Sequence, residues 1–243
     1  MGGKRIAIVI GTSEFNDHNF AELKGPAQDA IRLTNVLQDQ NIGNYEVKMF
    51  VNSSSHSVNK TIEKIFSEVG KNDTVIFYYS GHAKLGPSGR LYLATTDTDM
   101  KFLRSTAIPA TFVNEVMNES YSKNQIVFLD CCYSGAFAKN LLGGRGRIII
   151  SSSSAFQVSI EEKDEGDNFT TGVFTNALIQ GLESGEADMN SDGKITCFEL
   201  FNYIILKLED KYQQTPKMYA FDLSTDIAIA ESRRRDFKLK SQN

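Results

Sequence analysis

The chain reads as an α/β domain, with a mostly parallel central sheet and helices on both faces. Two uncharged apolar runs, TVIFYY (74–79) and QIVFL (125–129), have the composition of strands buried on both sides. Both break into glycine- or serine-containing turns, YYSGHA and LDCCYSG, where strands end. Strand-like and helix-like patterns also alternate along the chain, which is the pattern of βαβ units. A length of 243 residues suits one such domain, expected over residues 1–231, with a polar basic tail at 232–243.

The elements follow in order. Ile6–Ile10 is a first strand, and Pro26 opens a helix to about Leu37, with Ile31, Leu33, Val36 and Leu37 as its apolar side. Tyr45–Val51 is a strand and Val58–Val69 an amphipathic helix behind a serine-rich capping stretch. Next come Val75–Tyr79, a Gly/Pro loop at 86–89 and a hairpin arm at 90–96. Ala110–Met117 is a helix, and Ile126–Leu129 and Arg147–Ser152 are strands. Val173–Gly181 and Phe198–Leu208 are helices, and Asp226–Ala230 is a last short strand.

Several function classes are excluded at this level. A formal net charge of −4 leaves no electrostatic footprint for nucleic acid. No run of eighteen apolar residues is present, so no membrane span is expected. The segment MGGKRIAIVIGT has no long apolar signal region, and Ile6 stands where N-myristoylation needs Ser or Thr. Three cysteines, two of them adjacent, point to free thiols and a cytoplasmic location rather than a disulfide framework. GTSEFN lacks the later glycines of a dinucleotide fingerprint, there is no GxxxxGK[ST], and no CxxC or HxxxH pair supports zinc.

What remains is a histidine and a cysteine, each at the carboxyl end of a buried strand, where open α/β sheets place their sites. His82 follows Ser80-Gly81, and Cys132 precedes Tyr133-Ser134-Gly135. A lone buried cysteine is commonly an inert core residue, and a lone histidine a hydrogen-bonded structural one. The small flanking residues, which expose side chains and backbone N–H groups, favour a thiol nucleophile with its base. His18 and His56 lie in polar segments without a matching partner.

From Arg5 to about Ala230 the sequence resembles caspase-fold cysteine peptidases (clan CD), in their metacaspase and bacterial orthocaspase branch. The marks are GPAQDA (25–30), YYSGHA, DCCYSG, RIIISSSSA (147–155), GVFTNALIQGL (172–182) and FELFNYI (198–204). The histidine also lies about fifty residues upstream of the cysteine, as in caspases. The resemblance implies a caspase-like α/β/α sandwich and a His-Cys dyad of His82 and Cys132. It also implies an oxyanion site from the backbone N–H groups of Ala83 and Cys132. Asp29, Ser80 and Asp130 would bind a substrate Arg or Lys, two carboxylates meeting one cation through charge-assisted bonds. The implied function is a cysteine endopeptidase acting on protein or peptide substrates after Arg or Lys, latent until processing or a protein partner activates it. The alternative is a catalytically silent caspase-fold module that binds partners as a scaffold.

Two further readings concern processing and metal. The stretch AFAKNLLGGRGR (136–147) offers Lys139, Arg145 and Arg147 among glycines as candidate self-cleavage sites. Asp188-Met-Asn190-Ser-Asp192-Gly193-Lys194 through Glu199 fits the EF-hand loop, making Asp188, Asn190, Asp192, Lys194 and Glu199 candidate Ca²⁺ ligands. Asp97 and Asp99 echo the Ca²⁺ cluster of eukaryotic metacaspases, but LRSTAI (103–108) stands where an Asp-Asp pair would follow. No cofactor is expected to be required.

Overall fold

The computed structural model describes residues 3–132, 144–152, 161–163, 170–209 and 214–233. Its centre is a six-stranded sheet. The strands are β1 (Arg5–Gly11), β2 (Glu46–Val51), β3 (Thr74–Ser80), β7 (Asn124–Asp130), β8 (Arg147–Ser151) and β12 (Lys217–Phe221). Their spatial order is β12-β8-β7-β3-β1-β2. All neighbours pair in parallel except β12, which runs antiparallel to β8. The mostly parallel sheet expected from the sequence is therefore the one observed.

Side-chain alternation divides the core into two layers. Ala7, Val9, Ile76, Tyr78, Ile126, Phe128, Ile148 and Ile150 face one layer, and the intervening residues of the same strands face the other. The first layer is closed by α1 (Pro26–Gln38), α5 (Val173–Ser184) and α6 (Cys197–Glu209). The second is closed by α2 (Ser55–Glu68) and α4 (Ala110–Glu119), through Val58, Ile62, Val113 and Met117. Pro26 begins α1, where its missing N–H costs nothing. Ala30, Leu33, Val36 and Leu37 form the buried stripe of α1, whereas Ile31, read as part of it, is exposed. α2 starts three residues earlier than its apolar pattern, because the Ser54 hydroxyl accepts from the Ser57 amide.

Smaller elements complete the fold. β4 (Ala83–Leu85), β5 (Leu91–Leu93) and β6 (Ile108–Pro109) make a three-stranded antiparallel sheet, with α3 (Leu103–Thr106) just before β6. β9 (Glu161–Lys163) pairs with β10 (Thr170–Gly172), and β11 (Lys194–Thr196) pairs with β13 (Ala228–Glu231). The short strand read near residue 230 therefore lies outside the central sheet. No helix among the described residues is long and apolar enough to cross a membrane.

Candidate active site

Strands β3 and β7 carry the site at their carboxyl ends. Ser80 and Asp130 are register partners, and the Gly81 amide donates to the Asp130 carbonyl at 3.3 Å. His82 and Cys132 each lie two residues beyond this pair, so both follow the same end of two adjacent strands. Gly81 has φ +153°, and a Cβ there would lie 2.7 Å from the Tyr79 hydroxyl oxygen. Only glycine permits that close turn.

Tyr79 holds the backbone beneath the histidine. Its hydroxyl lies 2.6 Å from the His82 carbonyl and 2.7 Å from that of Ala94. Burial pushes this phenol well above its ordinary pKa, with the neighbouring Cys131 and Cys132 thiols acting in the same direction. Tyr79 thus stands at the base of both candidate dyad residues. The imidazole Nε2 lies 2.8 Å from the Ala21 carbonyl. An Nε2–H donor on that carbonyl leaves Nδ1 as the basic nitrogen of the neutral ring. A backbone carbonyl has no sequence signature, which is why Ala21 was missed.

The two adjacent cysteines are sorted by strand alternation. Cys131 points into the layer under α2 and α4 and is buried, and burial pushes its thiol well above the usual range. Cys132 is half-buried at the strand end. Only Cys132 has the access that a nucleophile requires.

Asp130 points to the opposite layer from Cys131, where α1 and α5 meet the sheet. Asp29 on α1 approaches from above. Its Oδ1 accepts from the Thr171 hydroxyl and its Oδ2 from the Gly172 amide at 3.0 Å. Asp130 Oδ2 accepts from the Thr175 hydroxyl at 2.8 Å, which in turn meets the Tyr78 hydroxyl at 2.8 Å. Ser80, at the end of β3, is buried in the same layer. Asp29 and Asp130 are 0% and 4% exposed. Burial, reinforced by the negative charge of Asp130, raises the Asp29 carboxyl to about 7, against a smaller opposing pull from Arg32. Thr171, Gly172 and Thr175, at and just before the start of α5, are parts of this cluster that the sequence did not single out.

The remaining candidates fall elsewhere. Ala83 begins β4, directly after His82. Lys139 and Tyr133-Ser134-Gly135 lie outside the described residues. Arg147, read both as a strand start and as a cleavable residue, is the first residue of β8 and 0% exposed. Its guanidinium donates to Gln125 Oε1 at 3.0 Å, Asn114 Oδ1 at 2.8 Å and Asn118 Oδ1 at 3.0 Å. A protease cannot reach it without unfolding the sheet, so Arg147 is a core residue, and Arg145 remains as the exposed candidate.

The acidic loop at 188–199 is closed by its own backbone. Asp188 accepts from the Asp192 and Gly193 amides, both at 3.2 Å, and Asn190 Oδ1 from the Asp192 amide at 2.8 Å. Glu199 caps α6 through the Thr196 amide at 3.0 Å and hydroxyl at 2.9 Å, and also accepts from the Asn190 amide at 3.3 Å. Among the described residues no three acidic, His or Cys side chains are drawn together as a metal cluster would need. In this arrangement Glu199 serves the helix start. Asp97 likewise caps α2, accepting from the Ser55 amide at 2.7 Å and its hydroxyl at 3.1 Å.

A mostly parallel sheet with a histidine and a thiol at the ends of adjacent strands defines a caspase-like α/β protein. The caspase domain model matches residues 4–227, so the chain belongs to the caspase domain family, a family of cysteine peptidases. Two solved structures share its fold. Caspase-1 from Spodoptera frugiperda is 16% identical with a TM-score of 0.64, over 96% of this chain and 93% of that one. A Geobacter sulfurreducens protein from a structural genomics programme is 16% identical with a TM-score of 0.64, over 90% of this chain and 93% of that one. No curated protein matches the chain in sequence.

Proposed function

We propose that this caspase-domain protein is a cysteine endopeptidase of the metacaspase and orthocaspase type, cleaving after Arg or Lys. The observation that carries the specificity is the convergence of Asp29 and Asp130 on Gly172. A Cβ at Gly172 would fall on Asp130 Oδ2 and lie 3.1 Å from Asp29 Oδ2. The backbone there is ordinary, with φ −68° and ψ 129°, so glycine is needed for space rather than for conformation. Two carboxylates meeting at one point match a guanidinium or ammonium group and repel a substrate carboxylate.

The chemistry follows from the thiol. His82 takes the Cys132 proton, and the thiolate attacks the carbonyl carbon after the Arg or Lys. The tetrahedral oxyanion is held by the backbone N–H groups of Ala83 and Cys132, donors worth about 3–4 kcal/mol each in other proteases. The C–N bond then breaks, and the imidazolium returns its proton to the leaving amine. Water, deprotonated by the same imidazole, cleaves the thioester and restores the thiol. Latency is part of the proposal, because the Thr171 hydroxyl and Gly172 amide occupy Asp29 and both carboxylates are buried. A substrate cation must displace these contacts, after processing or partner binding has loosened them.

The test is hydrolysis of matched Arg, Lys and Asp reporter peptides by the purified chain and by Cys132→Ala. Cleavage after Arg and Lys alone, absent in Cys132→Ala, is expected. Preferential cleavage after Asp would overturn the specificity. No cleavage of a broad peptide library, even after limited proteolysis, would favour the scaffold reading.

A further inference from the structure

The loop between β1 and α1 contributes more to the dyad than the Ala21 carbonyl. Phe15 and Phe20 stack on each other with centroids 5.1 Å apart and planes at 23°. Both rings also meet the His82 imidazole, Phe15 at 5.1 Å and 46°, Phe20 at 5.8 Å and 38°. Such tilted contacts are ordinary, favourable aromatic geometry. Phe20 is only 5% exposed, yet neither it nor Phe15 belongs to either hydrophobic layer of the core among the described residues. The described contacts of the Phe20 ring are with Phe15, His82 and the Lys84 ammonium, which sits 5.4 Å above it.

The loop itself is anchored rather than draped. Asn52 Oδ1 accepts from the Ser13 and Glu14 amides at 2.9 and 3.2 Å. The Ser13 hydroxyl accepts from the Ala27 amide at 3.0 Å, and the Leu23 amide donates to the Ser13 carbonyl at 3.0 Å. The Asn16 amide donates to the Thr96 carbonyl at 2.9 Å, and Asp17 Oδ2 accepts from the Met100 amide at 2.8 Å. Two rings and a carbonyl from one fixed loop thus contact a single imidazole.

We propose that Phe15 and Phe20 are positioning residues for His82: they hold its ring so that Nε2–H stays on the Ala21 carbonyl and Nδ1 remains the nitrogen that serves the Cys132 thiol. Without them the ring can rotate about its side-chain torsions, and both the hydrogen bond and the alignment with the thiol are lost. The proposal rests on the dyad role of His82, but one of its readouts does not need turnover.

With three histidines in the chain, side-chain ¹⁵N NMR separates their signals, and His82→Gln assigns one of them. The wild-type full chain should show His82 as the Nε2–H tautomer. Phe20→Ala should show a tautomer mixture and a kcat lower by about 10- to 100-fold, with KM within about twofold, as expected when a catalytic group is misplaced. Phe20→Tyr should restore both. If Phe20→Ala does not fold, Phe15→Ala, whose ring is half-exposed, should give a smaller change of the same kind. An unchanged tautomer and unchanged kcat per folded molecule, with only a lower melting temperature, would overturn the proposal. A tautomer changed by Phe20→Ala, when the wild-type protein cleaves no peptide, would sustain it and sink the peptidase reading alone.

Discussion

Asp29 and Asp130 come from different elements, a helix and a strand end, yet each places a carboxylate oxygen where a side chain on Gly172 would begin. Two buried like charges in that position are unfavourable without a cation between them. On the reading proposed above, a substrate cation relieves that repulsion.

The pH dependence follows from Asp29, whose carboxyl is raised to about 7 by burial and by Asp130. A protonated Asp29 offers one negative charge fewer to a substrate cation. The kcat/KM for an Arg reporter should therefore rise with pH through about 7, mainly through KM. Stability should move in the opposite direction. The folded state keeps a proton that the unfolded chain releases near its ordinary value of 3.8, so stability falls as pH rises from there to about 7. Asp29→Asn removes this penalty while abolishing Arg cleavage. Its melting temperature relative to wild type should be higher at pH 8 than at pH 5, and an identical difference at both would contradict the reading.

The adjacent thiols should behave as different chemical species. Cys132→Ala is expected to abolish cleavage, and Cys131→Ala to keep most of it at a cost of about 1 kcal/mol in stability, from lost core packing. Iodoacetamide with mass spectrometry checks this directly. Cys132 should alkylate first, with Cys131 protected until denaturant is added.

The parts of the fold legible in the sequence were those whose physics is local. The TVIFYY and QIVFL runs of β3 and β7 are uncharged and buried on both faces, and the candidate dyad residues sit just beyond where they stop. β12 went unread because KMYAF is a half-exposed edge strand that begins with a lysine, and it is defined by its pairing with β8. Arg147 went wrong for a related reason. The glycines before it suggested an accessible chain at the strand start, whereas the signal lay far away, in Asn114 and Asn118 one helical turn apart and in Gln125. Asp29 and Asp130 were singled out only through the family resemblance, since an aspartate on a helix is ordinarily solvated. Ala21, Phe15 and Phe20 act through a backbone oxygen and aromatic faces, which no motif encodes.

Arg147 makes a separate, structural prediction. Arg147→Ala leaves the buried Gln125 oxygen without its guanidinium, and a buried acceptor without a partner costs about 1–3 kcal/mol. The variant should lose about 1–3 kcal/mol, whereas Arg145→Ala should change stability little. Self-cleavage, where it occurs in this stretch, should then follow Lys139 or Arg145 and never Arg147. Intact-mass measurement of aged wild-type and Cys132→Ala protein reads the sites, and a terminus generated after Arg147 in otherwise folded protein would contradict the assignment.

The loop at 188–199 should couple Ca²⁺, where it binds, to stability rather than to chemistry. Asp188, Asn190 and Asp192 lie between α5 and α6, and β11 ties the loop to β13 rather than to the strands that carry His82 and Cys132. Binding would draw Glu199 away from Thr196, so part of the binding energy is offset by the lost cap. A ligand that binds only the folded state stabilises it by about 2.7 kcal/mol at a hundredfold excess over its Kd. Millimolar Ca²⁺ should therefore raise the melting temperature of wild type and leave turnover of a small peptide unchanged. Glu199→Gln should abolish the rise, and in metal-free buffer should cost only about 1 kcal/mol through its weakened cap. A large Ca²⁺ dependence of turnover that survives Glu199→Gln would place the ion elsewhere. No effect on melting would leave Asp188–Glu199 as a turn that does no more than start α6.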